Sequence, residues 1–335
     1  MKPAEGRVVA GNRPLSRRAT TGTVVAWRLG VTREHDMAAP WTYVSDGGLE
    51  TDLIFHHGVD LPEFAAYPLL RHADGRALMR WYFEGYAAIA ERAEAGLRLE
   101  SPTWRANPDW GALLGDDAQA LDVANREAIS FLHAIAEDWR GRVSDLKVVG
   151  MVGPRGDGYA AGSASTPDEA ADYHVAQVAS FAAAGVDEIE ALTMTDANEA
   201  RGVTRAADSV GIPVVISFTV ETDGRLPDGS TLRDAVATVD ADVSPAYFMV
   251  NCAHPQHVLA ALDDAGPWVE RIRGMRSNAS TLTHAELDEA ETLDEGDIEL
   301  LVSSHRELER HLPALDIVGG CCGTDARHVA ALWGV

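Results

Sequence analysis

The chain has 335 residues, 46% of them hydrophobic, enough for the core of one large α/β domain or two small ones. Lys+Arg 28 against Asp+Glu 52 leaves 28 − 52 = −24, a charge that repels phosphate backbones and anionic bilayers, so neither nucleic acid nor a membrane is an expected partner. No apolar run approaches the roughly 20 residues of a membrane helix, no secretory signal opens the chain, and three cysteines make no disulfide framework; a cytoplasmic location is expected.

Residues 1–36 differ from the rest. Lys2, Arg7, Arg13, Arg17, Arg18, Arg28 and Arg33 stand against Glu5, Glu34 and Asp36, a balance of 7 − 3 = +4 that leaves −28 for the remainder. An organelle leader has such a composition, but the plainer reading is a disordered extension, or an over-called start with Met37 as the initiator.

Residues 40–335 are expected to form one domain. A short apolar or β-branched run followed by a longer amphipathic stretch recurs throughout, which predicts parallel strands with covering helices. The predicted strands are Thr42–Asp46, Leu97–Ser101, Lys147–Val152, Glu188–Leu192, Val214–Val220, Tyr247–Asn251, Ile272–Met275 and Asp316–Gly319. Helices are predicted over Arg76–Ala95, Asp117–Asp138, Asp168–Ala184, Asn198–Ser209, Leu232–Val239, His257–Ala265, Ile298–Arg310 and Ala326–Leu332, where apolar residues recur at three and four. Thr166 before Pro167-Asp168-Glu169 and Thr324 before Asp325 read as helix caps. Eight strand-helix units in a chain of this length match a closed (β/α)8 barrel of the TIM type. No Gly-rich dinucleotide fingerprint follows an early strand, which counts against an open doubly wound sheet. The acidic segment Asn278–Asp297 reads as a solvated excursion after the seventh strand, with a substrate lid as the second reading.

In such a barrel the active site lies at the carboxyl ends of the strands. Cys252 ends the sixth predicted strand, and Cys321 and Cys322 end the eighth, so all three cysteines face one mouth despite their separation in the chain. Three thiolates there suit Zn²⁺, which prefers soft sulfur in tetrahedral geometry and would keep a fourth position open for substrate. Gly319, Gly320 and Gly323 are expected to let the backbone bend so that the adjacent cysteines both turn toward one ion. An isolated cysteine is commonly an inert core residue, but core packing does not ask for two side by side among glycines. A vicinal disulfide would be strained and would leave Cys252 unexplained.

With these residues in place, the sequence resembles the homocysteine S-methyltransferase family, which includes betaine-homocysteine and S-methylmethionine-homocysteine methyltransferases and the homocysteine-binding module of methionine synthase. The resemblance runs from about Tyr43 to the C-terminus and rests on Asp46-Gly47-Gly48-Leu49-Glu50-Thr51, Asn251-Cys252 and Gly319-Gly320-Cys321-Cys322-Gly323-Thr324. It implies that Cys252, Cys321 and Cys322 bind zinc, through which they take part in catalysis, and that homocysteine sulfur is the fourth ligand. It also implies that Asp46, the backbone at Gly47 and Gly48, and Glu190 at the end of the fourth strand hold the amino-acid part of homocysteine. Thr103, in Ser101-Pro102-Thr103-Trp104, resembles the family's polar segment after the second strand, in a Pro-containing form that departs from the usual one.

The expected reaction is methyl transfer to the homocysteine thiol, giving methionine. The donor would be S-methylmethionine or S-adenosylmethionine, with betaine second, an order that rests on the resemblance. Such cations are held well by aromatic faces, and Trp104, Trp110 and Tyr67 are candidates, though each also reads as an ordinary packing residue. Other readings stay open: another thiol or a selenol as acceptor, a zinc hydrolase, or a non-catalytic zinc brace closed by His254, the nearest candidate for a fourth protein ligand.

Overall fold

In the computed structural model the described residues are 41–160, 165–262 and 266–335. The expected N-terminal extension and the end of the helix expected from His257 lie outside them. The strands are β1 (Tyr43–Val44), β2 (Gly96–Glu100), β3 (Leu146–Val152), β4 (Glu188–Met194), β5 (Val214–Phe218), β6 (Tyr247–Ala253), β7 (Ile272–Ser277) and β8 (Ile317–Gly320). They pair in sequence order, all parallel, and β8 closes on β1, so the sheet is a barrel of the (β/α)8 kind.

The outer layer contains α1 (Leu49–Phe55), α2 (Ala73–Arg92), α3 (Pro108–Leu113), α4 (Ala118–Trp139), α5 (Pro167–Ala184), α6 (Ala197–Val210), α7 (Leu232–Asp240), α8 (Pro255–Ala261), α9 (His284–Glu289), α10 (Ile298–Glu309) and α11 (Ala326–Trp333). Local chemistry sets several of their ends. Thr166 and Glu169 form a reciprocal capping box at the start of α5, and Gly185 ends that helix with φ 81°. The cap of α11 is Asp325, whose carboxylate accepts from Arg327 N; the expected Thr324 instead donates its hydroxyl to Cys321 O at 2.7 Å. A carboxylate facing the first-turn N–H groups is the stronger cap, and the threonine is left to brace the cysteine turn.

Strand alternation sorts the side chains into two environments. Leu97, Leu99, Ile189, Ala191, Ile216, Phe218, Phe248 and Val250 belong to the main apolar core, where barrel and helices meet. Val215, Tyr247, Met249 and Ile317, with Tyr43 against them, form a separate apolar cluster inside the barrel near the strand starts. Above that floor the interior turns polar, and the strand ends carry the cysteines. No helix among the described residues is long and apolar enough to cross a membrane.

The segment after β7 departs from the expected solvated excursion. Asn278, Ala279 and Ser280 are buried, Ser280 Oγ donates to Asp294 at 2.5 Å, and α9 places His284 in the interior. Only part of its acidic sequence faces water, because the polar side chains at its start find partners within the barrel mouth instead.

Candidate active site

The Sγ atoms of Cys252, Cys321 and Cys322 all lie within 4.8 Å of one another. For Cys252 this needed a local exception. Tyr247, Met249 and Asn251 alternate into the barrel, so a regular strand would turn the next side chain outward. Cys252 instead has φ 53°, and the β6–β7 register shifts between Asn251 and Ala253. This bulge re-aims the thiol toward the mouth. Beyond β5, β4 shifts register where Thr193 has φ 62°, an uncommon conformation for a β-branched residue. Asn251 joins the two irregularities: its Oδ1 accepts from Thr193 N at 2.8 Å and Ser217 Oγ at 2.8 Å, and its Nδ2 donates to Thr193 Oγ1 at 2.8 Å.

The other two thiols sit on a tight turn closed by Thr324 N donating to Cys321 O at 3.1 Å. Gly323 occupies its third position with φ 77°, where an L side chain is strained. Gly319 and Gly320 do not adopt positive φ; a Cβ at either would collide with the β1 loop or Thr324. These two glycines therefore serve close packing of the β1 and β8 ends, and only Gly323 supplies the bend expected of all three.

The thiols share protons. Cys321 accepts from the other two cysteines beside the Arg276 guanidinium and is held well below the usual thiol range, whereas hydrogen bonding to Cys321 pushes Cys252 upward. Hydrogen bonds to Cys252 and Cys321, and burial, push Cys322 up. Three convergent soft ligands, one already inclined to ionise, fit a zinc ion that would take the place of those protons. His254 does not join this group among the described residues. Its Nδ1 accepts from Gln256 N at the start of α8, and burial pushes its pKa down to about 4. Tyr159, which no motif flagged, does reach the site: its hydroxyl is 3.2 Å from both Cys252 Sγ and Cys322 Sγ. Its ring stacks on His284 at 4.4 Å, and His284 Nε2 lies 2.8 Å from Cys252 O.

Below the sulfurs lies a buried ionic network. Arg98 donates to Glu100 at 3.1 Å and Glu190 at 2.5 Å and also pairs with Glu188. Arg276 pairs with Glu100 and Asp46 and donates to Gly320 O at 3.0 Å and Gly47 O at 3.1 Å. Asp46, Glu100, Glu188 and Glu190 against two guanidinium groups give a formal −4 + 2 = −2, with Lys147 touching only Glu188, at 3.4 Å. Burial, opposed by Arg276, holds Asp46 well above the usual carboxylate range. Burial and the neighbouring Glu100 push Glu190 up to about 7. Glu190 Oε1 is buried with no partner.

Glu190 sits deeper than expected. It is the third residue of β4, level with Met151 and Val215, and the strand runs on to Met194. Gly48 lies against the cysteine turn, where a Cβ would fall 2.5 Å from Cys321 O; its amide donates to Thr324 O at 3.0 Å. Thr103 is fully buried and donates its hydroxyl to Met151 O at 2.8 Å, tying the end of β2 to β3.

The aromatic candidates stand differently from expectation. Tyr67 is buried, and its hydroxyl donates to Asp116 at 2.6 Å. Trp104 and Trp110 already carry a cation: the Arg105 guanidinium lies 4.1 Å from the first ring centroid and 3.5 Å from the second. Arg98, Glu100 and Arg276 were also missed, although charges alternating with leucines in Leu97-Arg98-Leu99-Glu100 are a legible sign of an inward polar face.

A sequence model of the family described as homocysteine S-methyltransferase matches residues 43–334. Among curated proteins, none matches the chain. Among solved structures, the metallated form of the homocysteine methyltransferase MmuM from Escherichia coli is similar at 20% identity with a TM-score of 0.69, covering 88% of this chain and 96% of that one. Its oxidized form gives 20% and 0.70, covering 88% and 95%. The apo form gives 19% and 0.63, again covering 88% and 95%. The structural likeness carries the barrel, and the match over residues 43–334 carries the lineage: the chain belongs to the homocysteine S-methyltransferase family.

Proposed function

We propose that this chain transfers a methyl group from a sulfonium or ammonium donor (S-methylmethionine, S-adenosylmethionine or betaine) to the thiol of homocysteine, giving methionine, with Zn²⁺ held by Cys252, Cys321 and Cys322. The observation that carries this reading is the three-sulfur cluster at the barrel mouth, which His254 does not close. Bound zinc supplies Lewis acidity that keeps an incoming thiol ionised near neutral pH.

The protein's own residues do the rest. Asn251 and the Cys321–Thr324 turn aim the sulfurs. Tyr159, backed by His284, occupies the side of the cluster where an incoming sulfur would compete with its hydroxyl. The acidic interior receives the substrate ammonium: Glu190 offers the unpartnered Oε1, and Asp46, held on Arg276, offers a carboxyl acceptor beside the Gly47 and Gly48 backbone. Thr103, just past the end of β2, shapes the wall of that site through its bond to Met151 O. Holding both reactants within one closed mouth turns an encounter in solution into an oriented displacement.

The test incubates zinc-loaded protein with homocysteine and each donor in turn and reads methionine by mass spectrometry. Methionine formation that disappears with chelation and returns with zinc is the expected result. Homocysteine left unmethylated by every donor would overturn the reading.

A further inference from the structure

Arg98, Arg105 and Arg276 are the buried arginines among the described residues. Arg98 and Arg276 are each surrounded by carboxylates. Arg105 is not. Among the described residues its one hydrogen bond runs from Nη1 to Gly156 O at 3.1 Å, its Nε is buried without a partner, and no carboxylate lies within 4.0 Å. The side chain is only 7% exposed, and burial pushes its pKa down to about 10. Two indoles hold the guanidinium in place, and each is itself tethered: Trp104 Nε1 donates to Leu192 O at 3.2 Å and Trp110 Nε1 to Arg155 O at 3.1 Å. Stacking orients the cation without neutralising it, and a buried charge with no counter-ion in direct contact is costly unless a ligand completes it.

Glu50 supplies the opposite charge. It stands in the first turn of α1, directly beyond the Asp46-Gly47-Gly48 loop, half-buried; its carboxylate faces its own backbone N–H and makes no ion pair among the described residues. Burial and the adjacent Cys321 push its carboxyl up to about 7. Arg105 and Glu50 feel each other's field but do not touch. Asp157 and Glu63 are the other acids in the field of Arg105, neither in ion-pair contact with it, and Asp157 accepts from Tyr159 N at 2.9 Å. A cation and a carboxylate that are not paired with each other, on the neighbouring loops after β2 and β1 and within each other's field, match the two ends of a zwitterion.

We propose that Arg105 and Glu50 clamp the α-amino-acid end of the methyl donor, the donor's carboxylate on Arg105 and its ammonium on Glu50. This rests on the methyl-transfer reading above. It selects a sulfonium built on an amino acid over betaine, whose carboxylate could use Arg105 but whose quaternary nitrogen has no N–H for Glu50. Homocysteine carries the same zwitterion, but its ammonium is assigned to the deeper Glu190, whereas Glu50 is part-exposed.

The test uses full-length, zinc-loaded protein and two readouts. Calorimetric binding of S-methylmethionine should weaken on the order of 10- to 100-fold in Arg105→Gln and in Glu50→Gln, and less in Arg105→Lys, which keeps the charge. In parallel, the ratio of kcat/KM for S-methylmethionine over trimethylsulfonium, which has neither carboxylate nor ammonium, should fall by a similar factor, while the KM for homocysteine moves less than about threefold. If Arg105→Gln does not fold, Glu50→Gln carries both measurements. Unchanged S-methylmethionine binding, no binding by the unsubstituted protein, or a rise confined to the homocysteine KM would each overturn the clamp. Clamp-dependent binding without methionine formation would instead sink the methyl-transfer reading and leave the clamp standing.

Discussion

The side-chain amide of Asn251 accepts the backbone N–H of Thr193 at 2.8 Å, locking together the bulges in β6 and β4, the two strands that flank β5 in the barrel. The same amide approaches Cys321, with Nδ2 at 3.8 Å from Sγ. One buried side chain thus supports two left-handed residues, Thr193 and Cys252, and reaches a second cysteine.

Replacing Asn251 with Ala removes the acceptor for Thr193 N–H and for the Ser217 hydroxyl, both buried. Stability should fall by about 2–3 kcal/mol. Zinc affinity should drop roughly 10- to 100-fold, because the relaxed bulge no longer aims Cys252. Denaturant melts and chelator competition measure the two effects; zinc bound as tightly as before would show that something else aims the thiol.

Cys322→Ala should abolish both zinc binding at the mouth and methionine formation, with far-UV circular dichroism unchanged. Cys322 is only partly buried, so its loss leaves the barrel core intact. A metal-free Cys322→Ala protein with full activity would end the zinc mechanism.

For Glu190→Gln, the apparent KM for homocysteine should rise on the order of 10- to 100-fold as a charge-assisted contact is lost. The unsubstituted enzyme should show a matching pH dependence. Its Glu190 carboxyl is pushed up to about 7, so it is neutral below that pH and ionised above it. An ammonium needs the ionised form, so homocysteine affinity should improve as pH rises through about 7 and decline as pH falls through it. The Gln variant should flatten that limb in an isothermal titration series from pH 6 to pH 8; a profile identical in both proteins would remove Glu190 from ammonium binding.

Gly48→Ala tests the seam between β1 and β8. The added Cβ meets backbone, Cys321 O at 2.5 Å, which cannot swing aside as a long side chain would. A loss of about 1–3 kcal/mol is expected, together with weaker zinc binding as the cysteine turn is pushed outward. A melting temperature and zinc affinity both unchanged would mean that the two loops have slack.

The barrel was legible because its signal is repeated. β3 starts within one residue of its predicted start and ends where predicted, and α5, α6 and α10 match within one residue at each end. Capping chemistry is local, and amphipathic periodicity survives whatever the helix packs against. The short α1, α3 and α9 escaped notice because six or seven residues carry too little periodicity to register. Tyr159 was invisible for another reason: Gly156-Asp157-Gly158-Tyr159 reads as an ordinary loop, and nothing in it says that β6 and β8 bring sulfur to its hydroxyl.

What the sequence by itself determined was the number and order of strand-helix units and the placing of all three cysteines at strand ends, since both follow from patterns a few residues long. Which way a given side chain points there was decided by tertiary structure. Strict alternation would have turned Cys252 away, and only the bulge tied down by Asn251 and Thr193 brings it back. The same holds for the charges. Glu190 reads as an acid near a strand end, Arg105 as one more arginine, and Trp104 and Trp110 as free aromatic faces. Barrel closure buries the first among other acids and slides the second between the two rings. Burial and partnership belong to the assembled molecule, because each is set by groups brought in from other strands.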